Sequence, residues 1–370
     1  MAGVTSKATC SGKAPSLWVT GVVTVRRLRL DNVWTLQLSG ESYSSLRAAR
    51  TAVRKRYSAV AWRADARFPG LRAFLVRGLT IFLFHEVTNS PSPMQLTAGI
   101  YTPTSLFAEQ IDWLRQRFTF IRPTQLSQFG ADQALPENAA LVTFDDSWSG
   151  IFRVALPLLE SMGVPSICFI NMATVSGDPD LSAVRAYEQQ RLSSEKRLLG
   201  GPIDMTRGAH IIFEARDRYA ADSEFLAFQG STATLSDLDR AVSSLSLSWF
   251  GSHLFHHWEV HEITPELYEH SLRENNAALS DYSNALPVYA LPGGYPSPGD
   301  SHALSLPLRF GYRVVMTAMG RQNPDPRAAV LDRLPLPITR STPSDWWHAC
   351  HRLRILDWAL KQNGVARRAY

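Results

Sequence analysis

From residue 79 to about residue 340 short apolar runs alternate with amphipathic stretches, and this rhythm constrains the fold more than any other feature of the chain. The runs at 79–84, 140–144, 164–170, 248–251, 288–291 and 313–317 are short and rich in β-branched and aromatic residues. Several are apolar without a polar face, as strands of a sheet covered on both sides must be. Between them, 104–118, 149–162, 235–245 and 265–279 have helical spacing. Phe107, Ile111 and Leu114 share a face, Thr264 precedes 265–279 as an N-cap, and Gly163 follows 149–162 where a helix ends. Parallel strands return only through crossovers. The pattern therefore predicts an α/β fold, its parallel sheet either doubly wound or closed into a barrel. In either form functional groups belong at the carboxyl ends of strands. Residues 176–235 break the rhythm. They are irregular and polar, with one helix expected near 182–199, and read as an insertion fit to cover a site as a lid or to shape substrate choice.

The formal net charge of +5 over 370 residues hides two opposite regions. Residues 1–80 hold fourteen Lys and Arg against three Asp and Glu, a charge of +11, whereas residues 81–340 hold nineteen against twenty-eight, a charge of −9. The acidic body argues against nucleic acid as its ligand. The basic arm calls for an acidic partner, such as an anionic membrane or nucleic acid, with a solvated or docked helix as the alternative. Within it, 17–40 alternates as a β-hairpin does. At 45–66, Leu46, Ala49, Val53, Tyr57, Val60 and Ala64 have helical spacing, with Arg47, Arg50 and Arg54 on another face. The expected organisation is a basic extension at 1–78, a body at 79–340, and a segment at 341–370 with a helix at 346–362. Cys10, Cys168 and Cys350 are an odd count without a Cys-x-x-Cys pair, which disfavours a disulfide framework or a zinc–thiolate site. No run reaches the ~20 apolar residues of a membrane span. The expected compartment is the cytoplasm, with the arm at a membrane periphery; the oligomeric state is unconstrained.

Three expected strand ends carry chemistry. The strand ending at Phe144 runs into Asp145 and Asp146, and adjacent carboxylates at the end of a buried strand repel each other unless something positive compensates. Helix capping accounts for one of them, not both. After the strand at 248–251 come His253 and His257, four apart and so on one face of a helical turn, with His256 and His261 as further candidates. After the strand at 288–291 come Pro292, Gly293, Gly294 and Tyr295, a tight turn that lets a ligand approach closely. One carboxylate and two imidazoles suit a divalent cation, Zn²⁺ first, and leave a position for water. The second carboxylate is then free as a base, and the set predicts metal-assisted hydrolysis.

Taken in order, Thr143-Phe144-Asp145-Asp146, Gly251-Ser252-His253 with His257, and Tyr289-Ala290-Leu291-Pro292-Gly293-Gly294 resemble the successive motifs of the polysaccharide deacetylases, the NodB-homology carbohydrate esterases. Residues 156–169 resemble the family's link from its first motif to the next strand, Phe84-His85-Glu86-Val87 its first barrel strand, and 311–314 and 331–336 its late strands. The resemblance covers roughly 79–340. It implies a deformed (β/α) barrel of about seven parallel strands and an acetylated carbohydrate substrate, with removal of N- or O-acetyl groups. It implies that Asp146, His253 and His257 bind the metal and that Asp145 is the base. Water on the metal, deprotonated by Asp145, would attack the acetyl carbonyl. A backbone N–H near Asp145 or in the Pro292–Tyr295 turn would help to hold the oxyanion.

The chain departs from the family pattern in places. Ser147 replaces a Gly, Leu254 a small hydroxyl residue, and Ala290 an Arg, although an exopolysaccharide-specific branch also has Ala there. The late Leu-x-His that supplies the general acid is not evident, and His85, at the end of the first barrel strand, is the candidate in its place. Trp148, with Trp249 and Trp258, is placed to stack on a sugar face or else to pack. Two other functions remain open. One is a non-catalytic carbohydrate-binding or scaffold protein on the same barrel. The other is a hydrolase of another small amide on a sugar nucleotide or lipid-linked sugar.

Overall fold

A computed structural model describes three strands between residues 26 and 43, residues 78–336 apart from 132–133, 193–196, 220, 230, 297–301 and 321, and Trp346. The chain divides into two compact units, Met1–Tyr57 and Ser58–Tyr370. In the first, β1 (Arg26–Leu30), β2 (Val33–Leu38) and β3 (Glu41–Tyr43) form an antiparallel sheet. Leu30 stands opposite Val33 at its first turn. The expected hairpin is thus present with its first strand later in the chain and a third strand added. The helices expected at 45–66 and 346–362 lie outside the described residues, Trp346 excepted.

In the second unit β4 (Thr80–Phe84) and β5 (Glu86–Val87) are followed by β6 (Tyr101–Thr102), β7 (Thr119–Phe120) and β8 (Ala139–Phe144). Then come β9 (Ser166–Ile170), β10 (Ser248–Ser252), β11 (Ala285–Ala290), β12 (Val314–Thr317) and β13 (Val330–Pro335). Strands β4, β13, β12, β11, β10, β9 and β8 pair in that order, and β8 pairs back to β4, so the sheet closes on itself. All seven are parallel. The fold is a seven-stranded (β/α) barrel, one of the two forms the rhythm allows and the one the resemblance implies. The short β7 pairs with the start of β8, and β5 with β6.

Alternation along the strands separates two cores, because successive side chains of a strand point to opposite faces. Ile81, Leu141, Ile167, Phe169, Val288, Ala290, Val314, Met316 and Leu331 form one apolar cluster, inside the barrel. Phe82, Phe84, Val142, Phe144, Cys168, Phe250, Tyr289 and Val315 belong to the larger one, between barrel and helices. Continuing the inner parity past the strand ends brings His85 after Leu83, Asp145 after Thr143 and His253 after Gly251 to the barrel mouth. Gly251 is required: a Cβ there would lie 2.7 Å from both the Phe169 ring and Val288 Cγ2.

The helices Thr104–Arg115, Leu235–Ser244 and Pro265–Leu279 match the spacing that predicts them. The stretch expected at 149–162 is helical, but its first part, Ile151–Ala155, is wound as a π-helix before Leu156–Ser161. The insertion differs most. Besides Leu181–Arg191 it contains Met205–Tyr219 and Ser223–Gln229. It is also bonded into the barrel mouth rather than laid over it. Ser149 N donates to Ser231 O at 2.6 Å and Ala233 N to Ser147 O at 2.7 Å, while Ile203 N donates to Glu262 O at 2.8 Å. These bonds tie the insertion to the turn that follows Asp145 and Asp146 and to the segment that follows the histidines.

Candidate metal centre

Asp145 and Asp146 leave β8 through a turn that few side chains adopt, with φ of 70° at Asp146 and 52° at Ser147. Left-handed backbone costs ~1 kcal/mol or more per non-Gly residue, and it persists where neighbours over-determine it. Ser147 is held from three sides: its hydroxyl accepts from Asn171 N at 3.0 Å, its carbonyl accepts from Ala233 N, and its side chain is fully buried. The hydroxyl thus anchors the turn.

His253 and His257 do not share a helical turn, as their spacing suggests. Residues 253–259 form an irregular loop with left-handed Leu254 (φ 64°) and His257 (φ 57°). The loop is pinned by Asn171, whose side-chain amide donates to the carbonyls of His253 and, at 2.9 Å, of Leu254. Backbone reversal rather than helical periodicity brings the imidazoles together, their centroids 4.6 Å apart. Leu254 is fully buried and places no group in the site.

Asp146 Oδ1 lies 3.4 Å from His253 Nε2 and 3.3 Å from His257 Nε2. One ligand atom from each of the three falls within 4.8 Å of the others, and all three residues are buried. Among the described residues no other His, Cys, Asp and Glu group does this. The second nitrogen of each ring is spoken for: His253 Nδ1 lies 2.9 Å from Ala290 O, and His257 Nδ1 lies 3.4 Å from Asp180 Oδ1. A ring that donates from Nδ1 presents a bare lone pair at Nε2. Two such nitrogens and a carboxylate facing one another are three acceptors without a donor, and a cation satisfies them. Burial pushes Asp146 upward, but His257, His253 and His85 outweigh it and hold the carboxyl well below the usual carboxylate range. Burial pulls His257 down, and Asp146, Asp180 and Glu259 reverse this and push it up to about 9.

Asp145 faces a different partner. Arg333 Nη1 and Nη2 donate to its two oxygens at 2.5 and 2.8 Å. Arg333 is fully buried inside the barrel, its Nε donating to Thr317 O at 3.2 Å and its guanidinium 5.2 Å from the Phe169 ring centroid. Burial raises the Asp145 pKa, and Arg333, with His253 and His85, brings it below the ordinary value. The repulsion between the paired carboxylates is therefore relieved twice, by Arg333 at Asp145 and by the histidines at Asp146. Asp145 Oδ2 stands 3.8 Å from His253 Nε2, beside the ligand cluster. His85 Nε2 reaches to 3.9 Å from Asp146 Oδ2, and its side chain is 29% exposed, so it borders both the cluster and solvent.

Trp148 is completely buried and offers no stacking face; instead its indole N–H donates to Asp146 Oδ2 at 3.3 Å. Trp258 is buried as well. In the turn after β11, Pro292 and Gly294 are buried and Tyr295 is 62% exposed. Gly294 (φ 74°) packs so closely that an added Cβ would lie 2.5 Å from Ala318 Cβ. At Gly293 (φ 70°) it would meet Glu259 Oε2 at 2.6 Å. The glycines are thus required by packing and turn geometry, and Tyr295 alone presents a large side chain outward. His256 turns to Asp178 at 3.2 Å and His261 is about half exposed; neither joins the cluster.

Sequence reading misses Arg333, Asp180 and Asn171. Arg333 leaves a signal, a buried cation beside Asp332 in an otherwise apolar strand, in a chain with two adjacent carboxylates to neutralise. Asp180 reads as a helix cap, which it also is.

No protein-family model matches the chain, and among curated proteins none matches it. Among solved structures the fold is similar to the Streptococcus pyogenes deacetylase PplD in complex with acetate, at 15% identity over 73% of this chain and 96% of that one, TM-score 0.49. It is similar to IcaB from Ammonifex degensii, at 20% identity over 74% of this chain and 96% of that one, TM-score 0.47. It is also similar to BC0361, a polysaccharide deacetylase from Bacillus cereus, at 12% identity over 74% of this chain and 69% of that one, TM-score 0.48.

Proposed function

We propose that this chain is a metal-dependent hydrolase that removes acetyl groups from a sugar or polysaccharide. The observation that carries this reading is the juxtaposition of two separately maintained groups at one barrel mouth: Asp146, His253 and His257 as a buried ligand set, and Asp145 held apart by Arg333. A binding module has no use for the second group. The order of motifs along the chain supports an acetylated carbohydrate as substrate.

Two nitrogens, one carboxylate and no thiolate suit a borderline divalent ion, and we assign Zn²⁺. Such an ion, when bound, lowers the pKa of water and polarises a carbonyl. Asp145 is the base. The Arg333 fork keeps it ionised and fixes its orientation, so that Oδ2 faces the ligand cluster and accepts the proton of the attacking water. His85, at the solvent edge, is the acid that returns a proton to the leaving amine or alkoxide. Trp148 holds Asp146 in place from behind. Tyr295 lies on the rim, where an exposed aromatic face suits a sugar ring. The basic arm serves as a peripheral contact for an anionic membrane, and the cytoplasm is the compartment we assign. Sedimentation of the full chain with anionic but not neutral vesicles, lost at high salt, is expected; equal binding to both would remove that role.

The function is tested by acetate release from a panel of N- and O-acetylated oligosaccharides and acetylated sugar nucleotides, with and without added Zn²⁺, Co²⁺ or Ni²⁺. Metal-stimulated release from at least one sugar is expected. Release of another acyl or formyl group only would replace acetyl hydrolysis by that reaction. No release with any substrate, despite metal binding, would leave a binding protein.

A further inference from the structure

The insertion contributes one charged side chain to the metal centre. Asp180 is completely buried, and it lies 73 positions before His253 in the sequence, on the segment that enters the insertion. Its Oδ1 accepts from Ser182 N at 2.7 Å, Ser182 Oγ at 2.7 Å and Ala183 N at 3.1 Å, which caps the helix Leu181–Arg191. The same oxygen lies 3.4 Å from His257 Nδ1. Capping alone does not account for this placement. A cap at a solvent-exposed helix start serves equally well and leaves no polar atom stranded. Here Oδ2 is buried with no hydrogen-bond partner among the described residues, a cost that a neighbouring positive charge offsets.

His257 needs such a partner. Its backbone is left-handed, at φ 57°, so its direction is not fixed by local preference. Its imidazole must carry its proton on Nδ1 for Nε2 to face Asp146 as a lone pair. The other ligand histidine has this fixed by a backbone carbonyl, Ala290 O, in the barrel itself. For His257 the acceptor comes from outside the barrel.

We propose that Asp180 is the outer positioning residue of the metal centre. It holds His257 in the Nδ1–H tautomer and supplies the charge that strengthens Nε2 as a ligand, so that the insertion sets how tightly the site holds its ion. This rests on the metal-centre reading above. Neighbouring bonds tie the same segment to the ligand loop: Asp178 to His256, and Arg185 to Glu262 at 2.5 and 2.8 Å. The insertion is thereby fastened to the ligand loop and to the turn that follows it.

The test measures Zn²⁺ affinity by competition with a chromophoric chelator in the full chain, for wild type, Asp180→Asn, Asp180→Ser and Ser182→Ala. Melting of each metal-free protein is followed in parallel. Asn and Ser both keep an N-cap, but neither carries the charge. Both are expected to weaken Zn²⁺ binding about 10- to 100-fold, as loss of an outer-sphere partner does, with the metal-free melting temperature nearly unchanged. Ser182→Ala loosens the cap, leaves the carboxylate, and is expected to bind as wild type does. Unchanged affinity in both Asp180 variants, or an equal loss in Ser182→Ala, would reduce Asp180 to a cap and overturn the inference. Failure of wild type itself to bind Zn²⁺, Co²⁺ or Ni²⁺ would overturn the metal-centre reading instead.

Discussion

Asp145 and Arg333 meet through two hydrogen bonds with side-chain exposures of 6% and 0%, so neither charge has water to fall back on. Removing one partner of such a pair strands the other, which costs about 3–5 kcal/mol. Arg333→Met is therefore expected to lower unfolding free energy by that order, read by denaturant titration. It is also expected to cut acetate release at least tenfold, because the base loses its orientation. Arg333→Lys should recover part of the stability but little of the rate, since an ammonium cannot make the two-pronged contact. At this scale the sequence was legible where chemistry forced residues together, as in Asp145-Asp146 and the His253 to His257 spacing. It was silent where the partner is remote. Of the positive charge that two adjacent carboxylates demand, the part at Asp145 comes from Arg333, 188 positions away on the last barrel strand.

Barrel strands were readable because burial on both faces leaves few residue choices, so β4, β8, β9 and β12 stand in the sequence as apolar runs. The inner face is strict. Gly251→Ala pushes a methyl to 2.7 Å from Phe169 and Val288, directly below His253. Overpacking of this kind costs about 1–3 kcal/mol, and weakened metal binding is expected to accompany the drop in melting temperature. The insertion's helix Met205–Tyr219 is hard to read because its buried face, Gly208, Ile211, Ala215 and Tyr219, includes two small residues, and Ser223–Gln229 because its seven residues span only about two turns. The His253 and His257 spacing suggests a helix where the structure has a loop, because i, i+4 spacing fits a helix and a tight reversal alike.

The short strand β5 holds a further charge that shapes stability. Glu86 is 1% exposed, and burial pushes its carboxyl up to about 8, against the Gly150 and Val87 backbone N–H groups and Arg153, which act to lower it. Its folded value is above its unfolded value of 4.5, so between those limits the unfolded chain releases a proton that the folded chain keeps. Stability is therefore fullest below the unfolded value and declines as pH rises towards 8, by a few kcal/mol at most at ~1.4 kcal/mol per unit. Glu86→Gln cannot ionise. Its denaturation midpoint should exceed that of wild type at the alkaline end of this window and approach it at the acid end; parallel curves for the two proteins would exclude Glu86 as the cause.

Over the whole molecule, charge is segregated rather than balanced: +11 on residues 1–80 and −9 on residues 81–340. Screening acts on long-range attraction between exposed charges and little on buried contacts. Raising salt is thus expected to abolish sedimentation with anionic vesicles while leaving acetate release from a neutral oligosaccharide nearly constant. Parallel losses would mean that the arm takes part in catalysis. The central claim is that Asp145 moves the proton at a metal site built by other residues. Its most direct test is a comparison of wild type with Asp145→Asn, each measured for bound metal per chain and for acetate release on the same acetylated sugar. The account predicts equal metal content, near one ion per chain, with release from Asp145→Asn reduced at least a hundredfold. Undiminished release by the metal-replete variant would contradict it.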